Sequence, residues 1–519
     1  MALVVTALTG LAIAGPGAYA QAPAQEAPLS VIDWLGTQAK PPTSQNRAPG
    51  PVKVDEPPVT RTALAPAVSV APLGAGSPRA IGLVPESVTG LPQDLWAGSD
   101  VDRLIKLIGT LPDLQLPAAQ SLLYTVLLAE GLAPGGGSHA GDQLALARVE
   151  KLIKLGALDP ALSLIEQAGV TTSPDHFDLW MDISLLTGTE DRACGVLAGA
   201  PHLTRSFGTR IFCAARDGAW ENAALTFGSA QALELLPAEK LALLDRFLHP
   251  EEFEGAAHLP TPRSMDPLSF RLFETIGEAM PTGNLPRAYA VADLRDLAGW
   301  KAQLEAAERL TRAGALPDNR LLGLYTDRAP AASGGVWDRV RALQRFETAL
   351  STGSADAVAK TLPAVWRAMQ DAGLEVAFAS LFAENLIMIP LQGRARQIAM
   401  DICLLSPFYE VAANDPAKGP APSQLLIGVA TGEMPVARPE GALPGAIFDA
   451  FGATAAHPDL MALAQDQRLG EAILKTLALL EQGAQGDTTA LRSALATLRA
   501  LGLEDTARRA ALQTLLLDR

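Results

Sequence analysis

A chain of 519 residues with 48% apolar and 19% charged side chains can bury a large core, and at 5% aromatics that core must be mostly aliphatic. A formal charge of −15 excludes the basic footprint that nucleic-acid binding needs and disfavours anionic membrane surfaces. Alanine and leucine dominate the apolar set and both favour helix, while Val-Ile-Thr alternation nearly disappears after residue 100, so an all-α fold is expected.

In chain order, the first element is an apolar run from Leu3 to Ala14, too short to span a bilayer. Ala18, Tyr19 and Ala20 then fit the small-x-small rule for signal peptidase. Residues 1–20 are therefore read as a signal peptide cleaved near Ala20, with an uncleaved N-terminal anchor as the alternative. The mature chain is expected to be exported and periplasmic, and to lack a membrane-spanning segment, because no later stretch reaches ~18 uninterrupted apolar residues. Residues 21–97 are Pro- and Ala-rich and read as a disordered tether. Inside it, "SVIDWLGTQ" at 30–38 gathers Val31, Ile32, Trp34 and Leu35 into a candidate docking motif, either for a partner or for the chain's own body. A second cluster, "GLVPESVTGLPQDLW" at 82–96, leads into the helical body and is expected to pack on it.

From about Asp100 the pattern turns helical. "DQLALARVEKLIKL" places Leu146, Val149, Leu152 and Ile153 on one face, and Gly156 stops that helix. Asp159 reads as the next N-cap, Pro160 as the first helical position, with Ala161, Leu162, Ile165 and Ala168 facing inward. This elbow recurs at Gly188 and Gly218, spaced 32 and 30 residues along, each glycine followed five residues later by a small residue: Ala161, Ala193 and Ala223. Gly314, Gly373 and Gly502 mark further elbows, the last followed by Ala507. A two-helix unit cannot bury its own apolar face, but stacked units can, which predicts helical-hairpin repeats forming an α-solenoid.

These elbows resemble those of the tetratricopeptide-like (TPR-like) superfamily, over 140–250 and, more weakly, 290–519. The resemblance implies a superhelix that binds protein segments. The stretch "EAAERLTRAGALPDNRLLGLYTDRAPAASGGVWDRV" is similar to uncharacterised secreted bacterial proteins, which implies no activity. Pro-rich breaks at 249–267 and 409–445 divide the body into repeat regions 98–250 and 268–410, a loop at 411–440 and a C-terminal helical region at 441–519.

Chemistry-bearing residues are sparse. In the hairpin register Cys194 lies six residues after Gly188 and Cys213 five before Gly218, at similar heights on antiparallel neighbours. A disulfide between them is expected, contributing roughly 3 kcal/mol, with Cys403 a core thiol. The six histidines show no metal-ligand spacing, and neither HExxH nor CxxC occurs, so neither a metal nor a cofactor is expected. "GGGSHAG" at 135–141 lacks the last glycine of a nucleophile elbow. Ser333 is read as capping a helix behind Gly334 and Gly335. Scattered acidic residues read as helix caps. The expected function is a non-catalytic periplasmic scaffold or adaptor binding protein partners in an envelope assembly. Alternatives are an all-α cell-wall or polysaccharide-acting enzyme, which would need a carboxylate pair in a cleft, or a structural part of an envelope motor or secretion complex.

Overall fold

The computed structural model describes residues 80–414, 423–452 and 454–517. The signal segment, most of the tether and the motif Val31, Ile32, Trp34 and Leu35 lie outside the described residues. Twenty-five α-helices occur among the described residues, with no strand and only two isolated β-bridges, Ile81 with Gly131 and Val84 with Ala129.

One device ends many of the helices. After each of the six elbow glycines, the next N–H reaches back to the carbonyl five residues earlier: Ala157 to Leu152, Thr189 to Ser184, Ala219 to Ala214, Ala315 to Leu310, Leu374 to Met369 and Leu503 to Leu498. The bond needs a left-handed residue in between. At Gly156, φ is 83°, and an added Cβ would also lie 2.7 Å from Leu310 Cδ2, so this glycine is required twice over. At four of the six a small residue follows five positions on, and it is fully buried: Ala161, Ala193, Ala223 and Ala507 are each 0% exposed.

The helix after Gly156 starts earlier than its caps suggest. It runs Leu158–Ala168, so Asp159 and Pro160 lie inside its first turn and Ala157 is the N-cap. The chain leaves the left-handed glycine already aimed into the next helix, and Asp159 acts on the helix dipole rather than as a cap. The preceding helix, Ser138–Leu155, is buried on most sides rather than on one stripe. Its Arg148 is 1% exposed and donates to three backbone carbonyls, of Leu127, Ala129 and Ile81, at 2.6, 2.8 and 2.9 Å.

From Ser138 to Thr275 each helix packs on the next, as hairpin stacking requires. Between them, Cys194 on Glu190–Gly199 and Cys213 on Phe207–Arg216 stand at disulfide distance, with Cα atoms 4.9 Å apart. Cys403 is a buried free thiol.

The apolar core forms two clusters. The first runs from Ile81 to Ala292 and is completed by the C-terminal helices up to Leu512; the second covers Ala290 to Ala412 and takes in Leu517. The C-terminal helices Leu469–Ala484 and Glu504–Leu516 thus return to pack on Val101–Thr110 and Pro117–Leu128. Glu481 Oε2 accepts from the Gln115 N–H at 2.8 Å, and Gln513 Oε1 from the Ala118 N–H at 2.9 Å.

Residues 80–97 lie within the stretch read as tether, but the cluster at 82–96 packs on the helical body as expected. Trp96 and Leu95 are fully buried, the Leu95 carbonyl accepts from the Gly470 N–H at 2.9 Å, and the Trp96 ring lies against Gly470 so closely that a Cβ would sit 2.3 Å from it. Pro85 is the N-cap of the short helix Glu86–Thr89 and Pro92 leads into a turn, positions where a missing donor costs nothing. No helix among the described residues is long and apolar enough to cross a membrane.

Candidate functional site

Three elbows converge. The one at Gly314 joins Trp300–Thr311 to Asp318–Thr326 and presses on Pro117–Leu128. Tyr124 Oη donates to the Ala313 carbonyl at 3.0 Å, and Gln120 Nε2 donates to the Arg312 carbonyl at 3.2 Å and the Leu114 carbonyl at 2.7 Å. The Gly156 elbow touches Leu310 and Arg287. The Gly373 elbow is tied in by Arg312, whose Nη1 donates to the Ala372 carbonyl at 3.0 Å.

Two cavities open at this junction. One of about 650 Å³ is lined by Asp113, Tyr124, Lys154, Arg287, Arg309 and Arg312 among others. The other, about 490 Å³, has a more apolar wall including Leu128, Leu316, Leu374, Val376 and Ala377. They adjoin along Gln120, Tyr124 and Arg312, which line both. Both sizes suit a small molecule or a few residues of a bound chain.

The larger cavity is cationic. Its four basic side chains face one carboxylate, Asp113, which accepts from Arg287 Nη2 at 3.0 Å. Arg309 is fixed by the carbonyls of Thr282 and Leu285, at 3.0 and 2.5 Å. Burial lowers the Arg309 pKa, and Arg287 and Arg312 push it the same way. Behind the wall, buried Lys151 donates to the Leu111 carbonyl at 2.6 Å. Its pKa falls mainly through burial, with Lys154 and Arg287 adding to the effect and Asp113 opposing it. Burial raises the Tyr124 pKa, so the phenol stays neutral and donates. The site offers hydrogen-bond donors and positive potential.

Of the elbow glycines, Gly314 and Gly373 line the smaller cavity and the residues beside Gly156 line both. Gly188, Gly218 and Gly502 stand elsewhere, as do Cys194 and Cys213. Ser333 does not cap the helix Val336–Ser351. Gly335 is the N-cap and makes no side-chain bond, because Gly334 and Gly335, with φ of 91° and 54°, turn the chain in before serine could reach. The basic residues of the cavity were not singled out by sequence, since they lie on three separate segments with no common motif: Lys154 on one helix, Arg287 on a short turn, and Arg309 and Arg312 at the end of another.

Elsewhere, Asp182 sits among carboxylates. Burial raises its pKa to about 7, with Asp266 and Asp178 adding to the rise and Lys240 opposing it. Asp266 caps Pro267–Thr275 through the Ser269 N–H at 2.9 Å and holds Lys240 Nζ at 2.8 Å. Neither of the two cavities is lined by these residues. No group of three or more His, Cys, Asp or Glu among the described residues is placed to hold a metal ion.

No family model, no curated protein and no solved structure matches the chain.

Proposed function

We propose that the protein is a non-catalytic, periplasmic adaptor of TPR-like helical hairpins that binds protein partners in an envelope assembly. The observation that carries this reading is the junction of the Gly156, Gly314 and Gly373 elbows around two adjoining cavities. Loops between packed helices are where rigid scaffolds place recognition, and the cavities offer donors, charge and an apolar wall together. The shared elbow geometry and the stacking of consecutive helices from Ser138 to Thr275 support the repeat reading. The return of the C-terminal helices departs from an open solenoid, whose units touch only their neighbours. Export is supported by the leader-like residues 1–20 and by a cysteine pair at disulfide distance, which oxidising compartments preserve.

The test is crosslinked copurification of the full chain from envelope extracts. A reproducible partner, retained at stoichiometric level, is the expected result; a chain that elutes alone overturns the adaptor reading. A second reading, a polysaccharide-acting enzyme, draws on Asp182, a carboxylate poised near neutrality beside two others. Cell-wall hydrolysis abolished by Asp182→Asn would favour it.

A further inference from the structure

We infer that the junction recognises an acidic segment of the partner: a carboxylate, from a side chain or a chain end, seats among Lys154, Arg287 and Arg312, and a neighbouring apolar side chain enters the smaller cavity. This rests on the adaptor reading and specifies its ligand.

The argument is one of charge complementarity. The chain carries a formal −15, so its surface on balance repels acids. The larger cavity reverses that sign, with four cations to one carboxylate. Asp113 is engaged by Arg287, and no described carboxylate pairs with Lys154 or with Arg312. Arg309 is held close enough to Arg287 and Arg312 to feel both as like charges, which add to the burial that lowers its pKa and outweigh the opposing pull of Asp293. A bound carboxylate relieves that repulsion and accepts charge-assisted bonds from the Arg312 fork and from Lys154. Arg309, tied to two carbonyls, contributes a fixed charge rather than a contact. A bare anion would leave the apolar wall of Leu316, Leu374 and Val376 unused; a peptide fills both cavities across the shared edge of Gln120, Tyr124 and Arg312. Nucleic acid would offer anions too, but the rest of the surface repels a long phosphate chain.

Fluorescence anisotropy tests this with the full chain and a labelled decapeptide of four Asp/Glu residues next to three leucines. Controls are the same peptide with Asn/Gln for Asp/Glu, and inorganic phosphate as competitor. The acidic peptide is expected to bind, and to weaken at least about tenfold between ~0.05 and ~0.5 M salt. The exposed double variant Lys154→Glu/Arg312→Glu should also weaken it at least about tenfold, and Lys154→Gln/Arg312→Gln less, with circular dichroism unchanged and the two variants, which both lose the Arg312 bond to the Ala372 carbonyl, matched in thermal midpoint. Equal binding of the Asn/Gln peptide, undiminished binding by the charge-reversed protein, or full displacement by millimolar phosphate would each overturn the inference. If the charge-reversed protein still copurifies with the wild-type partner, the acidic-segment assignment fails while the adaptor reading stands. If neither protein retains a partner, the adaptor reading itself fails.

Discussion

At Glu234 and Gln467 the backbone enters the left-handed region, with φ of 51° and 58°. Each completes the same elbow as the glycines, since Leu235 N–H reaches the Ala230 carbonyl and Arg468 N–H the Leu463 carbonyl. An L-residue there costs about 1 kcal/mol against the following carbonyl oxygen. Glu234 is exposed, so Glu234→Gly should raise stability by up to roughly 0.5 kcal/mol in denaturant titration, the rest of the gain being offset by glycine's freer unfolded chain. These two elbows are invisible to a search for glycine, the signal by which the others were found. Asp182 is a different kind of hidden residue. Its pKa rises from the ordinary carboxylate value to about 7. The folded state therefore keeps a proton that the unfolded chain releases near pH 4, and the stability it contributes in acid is lost as pH climbs from about 4 to about 7, by at most about 1.4 kcal/mol per pH unit. Asp182→Asn should flatten that slope and raise the melting temperature at pH 8 more than at pH 4. A variant whose pH profile parallels the wild type would contradict this.

At the scale of elements, helix existence and elbow position were readable because their causes are local. Periodic Ala and Leu, a left-handed glycine and a small residue five positions on all sit within one turn of the feature they produce. Helix starts were less readable, as Asp159 and Ser333 show, because the exit direction of the preceding glycine decides them. The pairing of Cys194 with Cys213 followed from the same register. Titrating unfolded, non-reduced protein should find one free thiol, Cys403, which burial pushes up to about 12 in the folded state. Replacing both Cys194 and Cys213 with alanine should cost roughly 3 kcal/mol. Three titratable thiols would refute the bridge.

For the whole molecule, what sequence could not supply is long-range. The helix Pro117–Leu128 has no side-chain cap of its own; Gln513, 395 residues on, accepts from its Ala118 N–H. Nothing near either residue announces the other. The cationic cavity is dispersed in the same way, its basic residues drawn from segments between Lys154 and Arg312. The start of the fold is a third case: its apolar cluster announced that it would pack, but not that Leu95 and Trp96 would meet the distant helix that holds Gly470. Deleting residues 1–79 should leave the thermal transition nearly unchanged. Trp96→Ala should cost ~3–5 kcal/mol in chemical denaturation. A transition insensitive to Trp96→Ala would detach this segment from the core.

The return of the last helices to the first ones has a consequence in time. Each of those bonds closes a loop of more than three hundred residues, and loop closure must precede the contacts that reward it. The helices Val101–Thr110 and Pro117–Leu128 therefore gain their full packing only once Leu469–Ala484 and Glu504–Leu516 have formed. Refolding from denaturant should be slow at Trp96, which reports the arrival of Leu469–Ala484.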